Sequence, residues 1–113
     1  MATILLVAND TQPPLLHQFL DNVTGLPYDL TSPTRTAYAK FRKKNSTTTI
    51  FTATCSKVAG GESAGQVQMD WPGATGLTGL TAGYYEIEWY VVDGTDIQTE
   101  FDTTKCRVRK DFT

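Results

Sequence analysis

Cys55, Cys106 and His17 are the residues of this 113-residue chain best suited to nucleophilic, acid–base or metal chemistry, and they are few. A zinc centre of the usual kind needs four Cys or His ligands. Two thiols fifty-one positions apart, neither in a C-x-x-C pair, and one imidazole fall short of that. No metal and no cofactor is therefore expected. As a general base His17 needs a partner, and no serine, cysteine or acid stands beside it in an interpretable motif. It reads as a packed or surface histidine. Glu86 and Glu88, two apart on one strand face, invite comparison with a glycosidase carboxylate pair, but such carboxylates must flank a substrate in a cleft. On an open strand they read as solubilising charges, so the chain is expected not to be an enzyme. The glycines of 59–65 and 72–82 make no dinucleotide fingerprint, because no helix with an apolar stripe follows them. Asn45-Ser46-Thr47 matches the glycosylation sequon, which carries meaning only in a secretory setting that nothing else in the chain supports.

Charge narrows the partners. A net charge of −2 and an isoelectric point near 5.2 argue against nucleic acid, and the cluster Lys40, Arg42, Lys43, Lys44 reads as solvated charge where a strand meets a polar loop. No apolar run is long enough to span a bilayer, so no membrane is expected. The opening Thr3-Ile4-Leu5-Leu6-Val7 is apolar but lacks a basic flank, which makes it a first strand and not a secretory leader. The length suits one domain over 1–113.

The elements that must position these groups are strands. Gly83 to Val92 is filled with aromatic and β-branched residues, Asp93-Gly94 supplies a reversal, and Ile97 to Phe101 follows, together a hairpin signal. Period two sends Tyr85, Ile87, Trp89 and Val91 inward, and leaves Tyr84, Glu86, Glu88, Tyr90 and Val92 on the other face. Further strands are read at Thr3 to Val7, Leu15 to Asp21, Thr34 to Lys43, Thr48 to Val58, Gln66 to Trp71 and Thr104 to Arg109. Cys55 falls inward with Phe51 and Ala53, and Cys106 inward with Val108. Two buried, reduced thiols are expected. The glycine-rich 59–65 segment reads as a flexible connection. The count is seven or eight strands with no convincing helix, an all-β, immunoglobulin-like antiparallel β-sandwich. It lacks the framework tyrosine of true immunoglobulins, since Thr104 stands two residues before Cys106.

The order of several short motifs is itself informative. Asp10-Thr11-Gln12-Pro13-Pro14, Asp21 through Gly25, Asp29-Leu30-Thr31, Arg42, Gly65-x-Val67-x-Met69-Asp70-Trp71, Gly83-x-Tyr85-x-x-Glu88-Trp89 and Asp93-Gly94 together resemble the N-terminal domain of the phage baseplate upper protein family. The resemblance runs over nearly the whole chain. It implies a bacteriophage virion component made in the host cytoplasm, a β-sandwich that docks onto other virion proteins, oligomeric within the particle, and anchors an adhesion device. The chain ends at Thr113, before the helical and receptor-side regions of a full baseplate protein, so a capsid or neck position is the alternative to tail or baseplate. A carbohydrate- or receptor-binding module is the other alternative, with Tyr84 and Tyr90 stacking on sugar rings.

For a docking module the partner-binding candidates are the strand Thr3, Ile4, Leu5, Leu6, Val7, which no charge protects, and the face carrying Tyr84 and Tyr90. The loop 72–82 is a further candidate, since glycines let it reshape against a partner.

Overall fold

A computed structural model describes residues 3–8, 14–71 and 80–110. Nine strands build it: β1 Ile4–Val7, β2 Leu15–Gln18, β3 Arg35–Lys43, β4 Thr49–Thr54, β5 Ser56–Lys57, β6 Gln66–Met69, β7 Gly83–Asp93, β8 Asp96–Thr99 and β9 Thr104–Arg109. Among the described residues the helical content is one 3₁₀ turn, Glu62–Ala64. A large sheet runs β1-β9-β7-β3-β4, with β8 also on β7, and a small sheet runs β2-β6-β5. These orders are the two halves of an immunoglobulin-like sandwich, with β2-β6-β5 facing the larger sheet.

The β7–β8 hairpin turns at Gly94-Thr95, where Gly94 takes a φ of 63° that a side chain disfavours, as the primed hairpin turns require. Alternation then decides the core. Tyr85, Ile87, Trp89 and Val91 of β7, Ala37, Ala39 and Phe41 of β3, and Cys106 and Val108 of β9 point inward. The small sheet answers with Leu15, Val67 and Met69, extended by Phe19, Leu30 and Trp71. Phe41 stacks between Phe51 and Tyr85, and Trp71 meets Phe41 and Phe51 edge-on.

In three places the chain departs from simple alternation. First, the sheet is not wholly antiparallel, because β1 lies parallel to β9, Ile4 level with Cys106 and Val7 level with Arg109. A first strand and a last strand can pair this way because the connection between them is the whole domain. Second, the run from Thr48 to Val58 is two strands. It leaves the large sheet at Cys55, whose N–H still bonds Ala37 O, and Ser56 already pairs with Gln68 in the small sheet. Third, β8 and β9 are one strand interrupted at 100–103, since both lie antiparallel along the same side of β7.

The segment 59–65 is a built corner, not a flexible tether. Gly65 is buried with φ 73°, its carbonyl accepts the Phe19 N–H, and a Cβ there would lie 2.6 Å from Phe19 O and 2.7 Å from Tyr28 O. Of the loop 72–82, residues 72–79 lie outside the described residues.

Candidate functional site

β1 is the outermost strand of the large sheet, and its one partner among the described residues is β9. The other edge of β1 therefore presents backbone N–H and C=O groups to whatever lies outside. No residue of β1 is charged, and Leu5 is 77% exposed. Thr3, just before the strand, is exposed as well, Ile4 and Val7 are half-buried, and Leu6 is buried. A shallow groove of about 290 Å³ runs beside it, lined by Leu5, Leu6, Val7, Arg107 and Arg109.

On the outer face of the same sheet, cross-strand pairs set the chemistry. Leu5, Arg107 and Tyr84 stand level on β1, β9 and β7, and the Arg107 guanidinium lies 5.6 Å from the Tyr84 ring centroid. Tyr84 is 55% exposed. Tyr90 is engaged on its ring: Tyr38, directly opposite on β3, stacks on it at 5.2 Å, and Lys40 Nζ lies 5.0 Å from its centroid. The structure thus separates the two tyrosines, leaving Tyr84 open and Tyr90 packed.

Glu86 is not the free surface charge that its strand phase suggests. It is only 9% exposed. Its carboxylate accepts from Arg42 Nε at 3.0 Å, Thr103 Oγ1 at 3.1 Å and Lys105 Nζ at 3.4 Å. Burial by itself raises its pKa, but the three donors and the Arg42 charge outweigh burial and hold the carboxyl below its ordinary value. The alternation of β7 reveals the face on which Glu86 sits. It cannot reveal the cover supplied by β3 and β9.

Sequence reasoning passed over a second constellation. Glu100, eighty-three positions beyond His17, places one carboxylate oxygen 3.0 Å from the imidazole Nε2 and the other 3.0 Å from the Leu20 N–H. A carboxylate only accepts, so Nε2 carries the proton. The imidazole lies flat on the Trp89 indole at 4.1 Å, and the indole Nε1–H donates to Thr104 Oγ1 at 2.7 Å. Asn22 then caps the interrupted strand, donating to Thr99 O at 2.8 Å and accepting from the Phe101 N–H at 3.3 Å. Those are the bonds that a neighbouring strand would make to residues two apart, so one side chain protects this stretch of sheet edge. Around them is an open cleft of about 400 Å³, whose wall includes His17, Leu20, Asp21, Glu100, Phe101 and Asp102. The one sequence signal for it was phase. His17 shares the inward side of β2 with Leu15, which is unusual for a surface residue.

The two thiols are both free and buried. Cys55 lies opposite Ala37 and Cys106 opposite Tyr85, with β3 and β7 between them. Three strand spacings, about 14 Å, exceed the roughly 7 Å that a disulfide can bridge. Burial pushes each thiol up to about 12, Cys55 with a lesser contribution from the Asp70 charge.

No protein-family model matches the chain, and no curated protein matches it either.

Proposed function

We propose that this chain is a non-enzymatic structural component of a bacteriophage virion, an immunoglobulin-like module that docks onto other virion proteins of the tail or baseplate through the open edge of β1. Two things support the reading. The ordered motifs from Asp10 to Gly94 carry the resemblance to a virion family, and β1 is an uncharged strand at the rim of the large sheet whose outer edge pairs with no strand among the described residues. The observation that carries the docking part is Leu5, an apolar residue 77% exposed in the middle of a strand with no charged residue. Soluble β proteins usually guard such an edge with lysine, proline or a bulge, and this domain guards a neighbouring stretch of edge with Asn22. An edge left open where guarding is otherwise practised is an edge kept for a partner.

The test is incorporation. Proline at Leu5 removes a donor from the outer ladder, and deletion of residues 1–7 removes the strand. Each variant is expected to stay folded by circular dichroism yet to be missing from purified particles by quantitative mass spectrometry. Normal copy number for a Leu5→Pro variant would move the attachment surface away from β1.

A further inference from the structure

The charges around β1 specify the chemistry of what it binds. On the outer face of the large sheet stand Lys40 and Arg42 of β3 and Lys105, Arg107 and Arg109 of β9, against Glu86 and Glu88 of β7. The face holds five of the chain's ten Lys and Arg but two of its twelve acids, so it is basic on a protein whose net charge is −2. Within it the cations are not equivalent. Arg42 and Lys105 are both spent on Glu86, whereas no carboxylate of the described residues lies within ion-pair distance of Arg107. Arg107 stands level with Leu5, one strand in from the open edge, and together with Arg109 it lines the groove along β1.

Resting on the docking role assigned to β1 above, we infer that its partner is an extended segment of another protein that alternates carboxylates with apolar or β-branched side chains. It adds to the large sheet as a new edge strand. Its outward phase lies beside Leu5, where an Asp or Glu reaches across β1 towards Arg107. Two strand spacings are about 10 Å, a gap that arginine and glutamate side chains span together. A second copy of this chain fits poorly. Pairing β1 with β1 brings Arg107 and Arg109 against themselves, and pairing β1 with the opposite edge, β4, brings them towards Lys40 and Arg42 one strand in from it. Like charges across an interface select against that partner.

The experiment uses the whole chain, ¹⁵N-labelled, titrated with a synthetic peptide alternating Glu with Val and Thr. The same peptide with Gln for Glu, the same peptide with Lys for Glu, and a mixed-sequence single-stranded oligonucleotide complete the set. The expected result is amide shifts centred on Ile4–Val7 with affinity in the order Glu, Gln, Lys, falling as salt rises. In an Arg107→Glu variant the Glu peptide should weaken about fivefold to tenfold, while the Lys peptide should gain. Equal binding of the Glu and Gln peptides, shifts centred on β4, no shift with any peptide, or shifts on the outer face with the oligonucleotide alone would each overturn the acidic-strand partner. The two readings fail separately. If Leu5→Pro is lost from particles while peptide charge makes no difference, edge docking stands and the acidic partner falls. If the Glu peptide binds as expected but Leu5→Pro still assembles, the edge has its ligand and the virion attachment lies elsewhere.

Discussion

The His17 imidazole and the Trp89 indole lie face to face, 4.1 Å between centroids and 4° from parallel, and through this contact the small sheet grips the centre of the large one. Trp89 is the largest fully buried side chain in the domain, so the histidine closes over the core and does not stand apart from it. Glu100 holds the imidazole from the other side and ties it to the interrupted strand. The result is a clamp on the side of the large sheet where β8 ends, next to the stretch of β9 that β1 covers.

The first prediction concerns that clamp. Trp89→Ala should cost roughly 3 to 5 kcal/mol by urea unfolding, since it empties a large buried volume and strands Thr104. His17→Ala should cost far less, on the order of 1 kcal/mol, for the lost ring stack and carboxylate bond. A double-mutant cycle between His17→Ala and Glu100→Gln should show positive coupling. Strictly additive losses would mean that the 3.0 Å contact contributes nothing.

How much of this was legible from residues alone depends on whether the physics is local. The inward phase of β7 and β9 follows from alternation within one strand, and Tyr85, Ile87, Trp89, Cys106 and Val108 are all buried as that phase requires. The sheet switch at Cys55 is invisible to alternation, because Phe51, Ala53 and Cys55 keep one phase while the chain changes sheets. The His17–Glu100 pair joins residues eighty-three positions apart, and only the approach of the two sheets brings them together. The parallel pairing of β1 left no mark either, since four apolar residues look the same in either direction.

The second prediction separates two glycines with similar backbone angles. Gly60→Ala places a methyl in open space at φ 80°, and only the left-handed conformation is costly, about 1 to 2 kcal/mol. Gly65→Ala adds collisions with the backbone carbonyl oxygens of Phe19 and Tyr28, the first of which is held by the Tyr28 N–H. It should therefore lower the urea midpoint clearly more than Gly60→Ala does. Equal effects would show that the corner at Gly65 has room to give.

The third prediction is the silence of the thiols. With both raised to about 12 and buried, iodoacetamide at mildly alkaline pH should leave the native protein at its unmodified mass and add two labels in urea. The sign of the linkage also follows. A raised folded pKa gives stability that is complete below the ordinary thiol value of 9.0 and is lost as pH climbs towards 12, so the alkaline limb should flatten in a Cys55→Ala, Cys106→Ala double variant. A native mass two hydrogens lighter than the reduced chain would contradict the separation of the two strands.

The fourth prediction concerns acid. Glu86 is held below its ordinary 4.5 by Thr103, Lys105 and Arg42 despite the opposing effect of burial, so its ionised form is favoured by folding. A depressed carboxyl contributes stability that is present above the unfolded value and is lost as pH falls through the folded one. Between neutral pH and about pH 5 the contribution is constant, and below it the protein should weaken progressively. Glu86→Gln keeps the shape and some of the hydrogen bonding but leaves Arg42 and Lys105 without their shared counter-ion, so it should destabilise at pH 7 and flatten the acid limb. Asp21 and Asp29 are also lowered, by hydrogen bonds within their own turns, and Asp93 by Thr34 and Arg35, so these groups will retain part of the slope in that variant. The discriminating measurement is the difference between wild type and Glu86→Gln in urea midpoint at pH 7 and at pH 3. It should shrink at the lower pH, where protonation has already removed the charge from much of the wild type. A gap of constant size would show that Glu86 acts on the fold through packing, and that the Arg42–Glu86–Lys105 network is incidental to its stability.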